Sequence, residues 1–205
     1  LKLNWLGRRA MNGAPRRLLQ ERYVARSLER LGGRVEGGRV LEVGCGGGAG
    51  AALILRRFGA REICAFDLDL RMIRVARRRL AGVSDRVALL VGDATRLAAR
   101  PAAFDAVFDF GAIHLLPEWR AAVAEVARVL KPAGRFYFEL VTRPWLRLSY
   151  PLFVEGEGGR RAPAPPDFLR ELARQGLAVR ALKRPRWMPL SGLVGDLLGV
   201  AERSA

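Results

Sequence analysis

The chain has 205 residues, half of them apolar, and carries 36 Lys and Arg against 20 Asp and Glu, a formal net charge of +16. That length suits one domain spanning residues 1–205 with a core of its own, and it excludes a small scaffold that needs disulfide staples. No apolar run approaches the ~18 residues that read as a membrane-crossing helix. Cys45 and Cys64 are the two cysteines, and both are expected as reduced thiols without partners for a metal site. Among the basic residues only Lys2, Lys131 and Lys183 are lysines. Such a surplus attracts anionic membranes, nucleic acid or acidic ligands within the screening length, and charge does not choose among them. The opening LKLNWLGRRAM lacks the continuous apolar stretch of a secretory signal, so a cytoplasmic chain is expected, at most peripheral to the inner face of the membrane.

Residues 1–38 read as an N-terminal helical segment. From about Ala14 to Leu31, helical spacing places Leu18, Leu19, Tyr23, Leu28 and Leu31 near one face, with arginines opposite and a stop at Gly32-Gly33. Residues 39–141 then alternate strand and helix. An apolar strand, Arg39–Val43, runs into Gly44-Cys45-Gly46-Gly47-Gly48 and a helix over 49–58. A strand over Glu62–Asp67 precedes a helix over Leu70–Leu80, with Met72, Ile73, Ala76 and Leu80 at helical spacing. Strands over Arg86–Val91 and Phe104–Asp109 follow, then a helix from about Glu118 to Leu130, a turn at Lys131-Pro132-Ala133-Gly134, and a strand over Arg135–Val141. Residues 142–165 break the rhythm with Pro144, Pro151, Pro163 and Pro165 among Trp145, Tyr150 and Phe153, and read as an insertion. Residues 166–205 supply a helix from about Pro166 to Gln175 and two strands, Leu177–Lys183 and Leu197–Ala201. No helix separates those two, so they are expected to pair antiparallel. The whole predicts an α/β fold, doubly wound around a mostly parallel seven-stranded sheet.

Chemistry-bearing residues gather where strands end. Glu42-x-Gly44-x-Gly46-x-Gly48 follows an apolar strand and opens a helix; glycines there let backbone turn sharply and approach a ligand at a helix N-terminus. About 20 residues further on, Phe66-Asp67-Leu68-Asp69 closes the second strand, where a carboxylate accepts hydrogen bonds from a ribose diol. Gly92-Asp93-Ala94 closes the third and suits an adenine amino group. A dinucleotide reading needs a pyrophosphate on that helix N-terminus; Glu42 would repel it, and would instead favour sulfonium and ammonium groups.

In these motifs the chain resembles the class I S-adenosylmethionine-dependent methyltransferases, in particular the small-molecule group that includes the ubiquinone and menaquinone enzymes. VLEVGCGGGAG, AFDLD, GDA, FDAVFDFGAIHLLPEW, LKPAGRFYF and DLLGVAER follow the family's motifs in order and spacing. The resemblance implies a Rossmann-like sheet whose last strand lies antiparallel between the fifth and sixth. It implies S-adenosylmethionine as cofactor and S-adenosylhomocysteine as product. It places Gly44, Cys45 and Gly46 at the methionine end, Asp67 and Leu68 at the ribose, and Asp93 and Ala94 at the adenine. Met72 packs near the adenine, and Glu42, Gly92, Asp109 and Phe110 complete the cofactor set. No metal is expected. His114, the single histidine, is a candidate base or acceptor-orienting group; it equally suits a cap for the next helix or packing beneath the loop. Asp109 is the second catalytic candidate, and its backbone is also a candidate to hold the cofactor ammonium; the two roles are not exclusive.

The acceptor is expected to be small or lipid-like, bound between segments around Met11–Tyr23 and Pro144–Pro165. Leu1, Leu3, Trp5 and Leu6 adjoin Arg8, Arg9, Arg16 and Arg17, a mixture suited to an anionic membrane surface. Trp145, Leu146, Leu148, Tyr150, Leu152 and Phe153 repeat it beside Arg143 and Arg147; an ordinary lid over the cofactor is the alternative. Arg77-Arg78-Arg79 reads as a solvated face rather than a nucleic-acid site. A nucleic-acid-directed methyltransferase and a non-catalytic S-adenosylmethionine binder are the other functional readings.

Overall fold

A computed structural model describes residues 2–141, 154–155, 163–184 and 197–204. In chain order the strands are β1 (Lys2–Leu3), β2 (Arg39–Val43), β3 (Glu62–Asp67), β4 (Val87–Val91), β5 (Phe104–Asp109), β6 (Leu130–Leu140), β7 (Val154–Glu155), β8 (Leu177–Lys183) and β9 (Leu197–Arg203). The helices are α1 (Trp5–Asn12), α2 (Ala14–Leu19), α3 (Arg26–Gly32), α4 (Ala49–Leu53), α5 (Leu70–Arg79), α6 (Trp119–Val129) and α7 (Pro165–Arg174). Seven strands form one sheet in the order β4-β3-β2-β5-β6-β9-β8. β2 to β6 pair in parallel, while β9 runs antiparallel to both of its neighbours, β6 and β8. The mostly parallel, doubly wound sheet with an inserted antiparallel last strand is therefore present.

Strand alternation sends side chains to two cores. On one face Phe108 stacks on Tyr137, centroids 4.3 Å apart, and meets the edge of Phe58 at 4.7 Å. On the other, Phe138 packs on Phe168 of α7 at 5.4 Å, and Phe168 meets Trp119 of α6 at 5.9 Å. Apolar runs in β2 and β5 are buried on both sides, as a central parallel strand requires.

Several local expectations change. Residues 14–32 are helical, but a wide π turn at Gln20–Ala25 joins α2 to α3. The extra residue in that turn shifts the apolar stripe. Val24, Ala25 and Leu28 are buried, whereas Leu18, expected on the same face, is half exposed. Within the expected N-terminal helical segment, α1 precedes the helix read from about Ala14; it begins where Asn4 accepts a hydrogen bond from the Gly7 N–H at 2.8 Å, an N-cap. In β6, Leu130 pairs with Phe104 and Arg135 with Ala106, so Lys131–Gly134 loop out of the ladder. β1 pairs antiparallel with β7 and so ties the N-terminal segment to the 142–165 insertion. Trp145, Tyr150, Phe153 and their neighbours lie outside the described residues.

Phe108 is fully buried between two other aromatic rings. Phe108→Ala should lower stability by about 3–5 kcal/mol, the usual range for truncating a core phenylalanine. Urea unfolding checks this, and a loss below about 1 kcal/mol would show that the core closes over the missing ring.

Candidate active site

The C-terminal ends of β2, β3, β4 and β5 open on a cavity of about 400 Å³, within the size range of small-molecule sites. Glu42, Gly44, Cys45, Gly46, Asp67, Leu68, Met72, Gly92, Asp93, Ala94 and Phe110 all border it. Each was singled out from sequence, and chain reversal at four neighbouring strand ends brings them together.

Glu42 is 2 % exposed. The backbone of Ala51, in the first turn of α4, hydrogen-bonds its carboxylate, while Oε2 has no partner. Burial above all, and then the nearby Asp67 carboxylate, hold its pKa well above the usual range. The close seat depends on Gly50, where an added Cβ would stand 1.9 Å from Glu42 Oε1. Gly44 is constrained in the same way: its φ is +68°, and a Cβ there would meet the Ala112 Cβ at 2.2 Å.

Asp67 accepts hydrogen bonds from the Gly46 and Asp69 N–H groups, both at 2.8 Å. Burial still raises its pKa against the pull of those donors. The carboxylate thus shapes the glycine turn as well as bordering the cavity. Asp93 Oδ1 accepts from both the N–H and the hydroxyl of Thr95 at 2.8 Å, a local turn that fixes the rim. Cys45 donates its backbone N–H to Phe66, and burial pushes its thiol pKa up, so it is an inert wall residue.

The N-terminal helices add residues not read as cofactor contacts. Asn12 Oδ1 accepts from the Gly47 N–H at 2.7 Å, and its amide donates to the Arg8 carbonyl at 2.9 Å. Arg8, Asn12, Arg16 and Gln20 border the cavity. Arg16, expected with Arg8, Arg9 and Arg17 on a membrane-facing surface, is instead 3 % exposed. Its Nη2 donates to Glu139 at 2.8 Å and to the Phe110 carbonyl at 3.2 Å. The arginine face of the helix is thus not uniformly solvated. Nor is the 77–79 cluster, because Arg79 donates to the Gly47 carbonyl. The only sequence signal was an arginine recurring on the cavity side of an amphipathic helix, and periodicity cannot separate it from its neighbours.

Asp109 and His114 stand behind the wall rather than among the described lining residues. Asp109, 1 % exposed, accepts from the Ala112 N–H at 2.6 Å and the Ile113 N–H at 3.3 Å, capping the turn that follows β5. Burial pushes its pKa up to about 7. His114 is 2 % exposed, hydrogen-bonds the Glu139 backbone, and burial lowers its pKa to about 3, leaving a neutral ring near pH 7.

Residues 40–134 match the methyltransferase domain model, and they are the segment that builds this cavity's glycine turn and strand ends. Over that segment the chain is similar to a methyltransferase domain. The chain is 42% identical over 106 residues to the fatty-acid O-methyltransferase of Mycolicibacterium smegmatis, covering 51% of this chain and 37% of that one. It is 37% identical over 124 residues to the demethylmenaquinone methyltransferase of Clavibacter sepedonicus, covering 59% and 49%. The match thus spans half or less of those relatives' length. The same fold occurs in a geranyl diphosphate C-methyltransferase from Streptomyces coelicolor, with TM-score 0.70 at 17% identity over 87% of this chain and 79% of that one. It occurs also in a (4+2) cyclase, with TM-score 0.70 at 20% identity, covering 88% and 80%.

Because the Asp109 pKa is about 7 in the folded protein against an ordinary 3.8, the native state keeps a proton that the unfolded chain releases between those values. This stabilising contribution is fully present below the unfolded value and is lost as pH rises through the folded one. Asp109→Asn keeps an acceptor oxygen for Ala112 without the ionisation. In urea titrations from about pH 5 to about pH 8 the variant should lose part of the fall in stability shown by the wild type. An unchanged slope would show that Asp109 is already ionised in the fold.

Proposed function

We propose that the protein is an S-adenosylmethionine-dependent methyltransferase acting on a small, lipid-like acceptor. The observation that carries this reading is Glu42, a buried carboxylate with an unpartnered oxygen on the wall of a cavity of about 400 Å³. Such an atom calls for a cationic or hydrogen-donating ligand and disfavours a phosphate. The donor set fits the cofactor along its length. Glu42, Gly44 and Gly46 serve the methionine end, Asp67 the ribose hydroxyls, and Asp93 and Ala94 the adenine, with Leu68 and Met72 as apolar packing. When bound, S-adenosylmethionine supplies an electrophilic methyl group on a sulfonium. The chain's own residues hold the partners in line and exclude water, which needs no covalent intermediate.

In this reading Asp109 and His114 are positioning residues. Asp109 fixes the turn carrying Gly111 and Ala112, and His114, neutral and buried, braces that turn against β6. The names of the relatives, one for a fatty acid and one for demethylmenaquinone, favour an amphiphilic acceptor. Isothermal titration should show S-adenosylhomocysteine binding at one site, with Asp67→Ala weakening it by about 1.5–3 kcal/mol, the range for a hydrogen bond to a charged group. Binding of a nicotinamide dinucleotide in place of S-adenosylhomocysteine would remove the reading.

A membrane surface as the source of the acceptor is supported by α1. That helix turns Arg8 and Asn12 to the cavity, while Trp5 is 69% and Leu6 37% exposed. Among the described residues no helix is long and apolar enough to cross a membrane, so the contact would be interfacial. The net charge of +16 adds attraction to anionic lipid of about 1 kcal/mol per basic residue near the surface. In vesicle co-sedimentation, binding to anionic vesicles should fall with salt, and Trp5→Ser with Leu6→Ser should weaken it at every salt concentration. Absence of binding at low salt would leave α1 as a plain lid.

A further inference from the structure

Four buried side-chain polar atoms among the described residues have no hydrogen-bond partner: Arg16 Nη1, Glu42 Oε2, Arg57 Nε and His114 Nδ1. Two of them, on Arg16 and Glu42, belong to residues that border the same cavity, and these two carry opposite charge. Unsatisfied buried groups of a site are the ones a ligand completes. A ligand with one charge would satisfy one of this pair and leave the other desolvated. A zwitterionic α-amino acid group satisfies both.

We infer that Arg16 is the ligand of the cofactor's α-carboxylate, in the same cavity whose Glu42 carboxylate serves the positive groups. The inference rests on the cofactor reading above. Arg16 is suited to the role by how its fork is used. Nη2 is engaged by Glu139 at 2.8 Å and by the Phe110 carbonyl at 3.2 Å, which leaves Nη1 buried and unpartnered. Guanidinium geometry allows one edge to be pinned while the other meets a second oxyanion. Phe110 is the residue immediately after β5, next to Gly111 and Ala112 on the cavity wall, so the pinned edge lies at the methionine end of the site. Arg8 also borders the cavity, but it lies 3.8 Å from Asp69, beyond the ribose-side Asp67. An Arg16–Glu139 pair whose role was only to fasten α2 to β6 would not require a desolvated, unpartnered nitrogen on a cavity residue.

The test compares S-adenosylhomocysteine with its decarboxylated counterpart, by isothermal titration, on three folded proteins: wild type, Arg16→Gln, and Arg16→Gln/Glu139→Gln. The double variant removes the unpaired buried carboxylate that Arg16→Gln leaves behind, and circular dichroism verifies the fold of each. Wild type should prefer S-adenosylhomocysteine by about 10- to 100-fold, as expected for a hydrogen bond to a charged group. Both variants should lose that preference while their affinity for the decarboxylated ligand stays within about threefold of wild type. Retention of the preference in either folded variant overturns the inference, as does equal binding of the two ligands by wild type. Variants that keep the preference but lose affinity for a long-chain fatty acid assign the guanidinium to the acceptor instead. Failure of wild type to bind either adenosyl ligand is a different result and removes the cofactor reading itself.

Discussion

The site depends on keeping a carboxylate buried at the end of a central strand. Glu42 sits under the N-terminus of α4 with a backbone hydrogen bond from Ala51 and with one oxygen unsatisfied. In isolation this is unfavourable, because burial penalises the charged form and Asp67 and Asp109 add like charge. The fold accommodates it by removing side-chain volume. Gly50 leaves space for the carboxylate itself, and Gly44 lets the turn pass against Ala112. The glycine-rich loop is therefore shaped as much by what lies beneath it as by the ligand above. Its unsatisfied oxygen is local free energy kept available for binding, the usual relation between a strained site and a stable scaffold.

That scaffold is a sandwich of two aromatic cores on the two faces of the sheet, and its rigidity passes to the site through β5 and β6. Phe108 is locked between Phe58 and Tyr137 one residue before Asp109. Asp109 then holds the following turn by its backbone N–H groups. The cavity wall at Gly111 and Ala112 thus lies three and four residues along the chain from Phe108 in the aromatic core. Against this fixed wall the N-terminal helices supply the opposite side. Asn12 pins Gly47, Arg16 pins Phe110 and Glu139, and both contacts span more than thirty residues of sequence. β1 and β7 join the same segment to the insertion.

The division between core and cover also runs through the comparisons. The domain match covers residues 40–134, which hold the glycine turn and the strand-end acids but not Asn12, Arg16, Gln20 or Glu139. The structural likeness extends much further than sequence identity does, reaching a geranyl diphosphate methyltransferase and a cyclase alike. A shared sheet therefore accounts for where a ligand sits and leaves its chemistry to the residues that cover it. α1 and α2, which precede the matched segment, carry the exposed Trp5 and the buried Arg16 on adjoining helices.

The sequence by itself determined the elements and the strand-end residues that border the cavity, because both are written locally. Apolar runs of five or six residues between glycines are strands in any context that buries them. Motif residues at strand ends need only the regular βα alternation to converge on one edge, as Glu42, Asp67 and Asp93 do. The tertiary structure decided what depended on packing between distant segments. A π turn at Gln20–Ala25 rotated Leu18 outward. A buried acidic partner on β6 drew Arg16 inward although its neighbours Arg8, Arg9 and Arg17 carry the same charge and lie on the same stretch of chain. Asp109 is held behind the wall by the N–H groups of Ala112 and Ile113, and His114 by the Glu139 backbone. Helical periodicity and residue type record which face a side chain takes, but whether that face meets water, a ligand or a buried carboxylate is set by the element across from it.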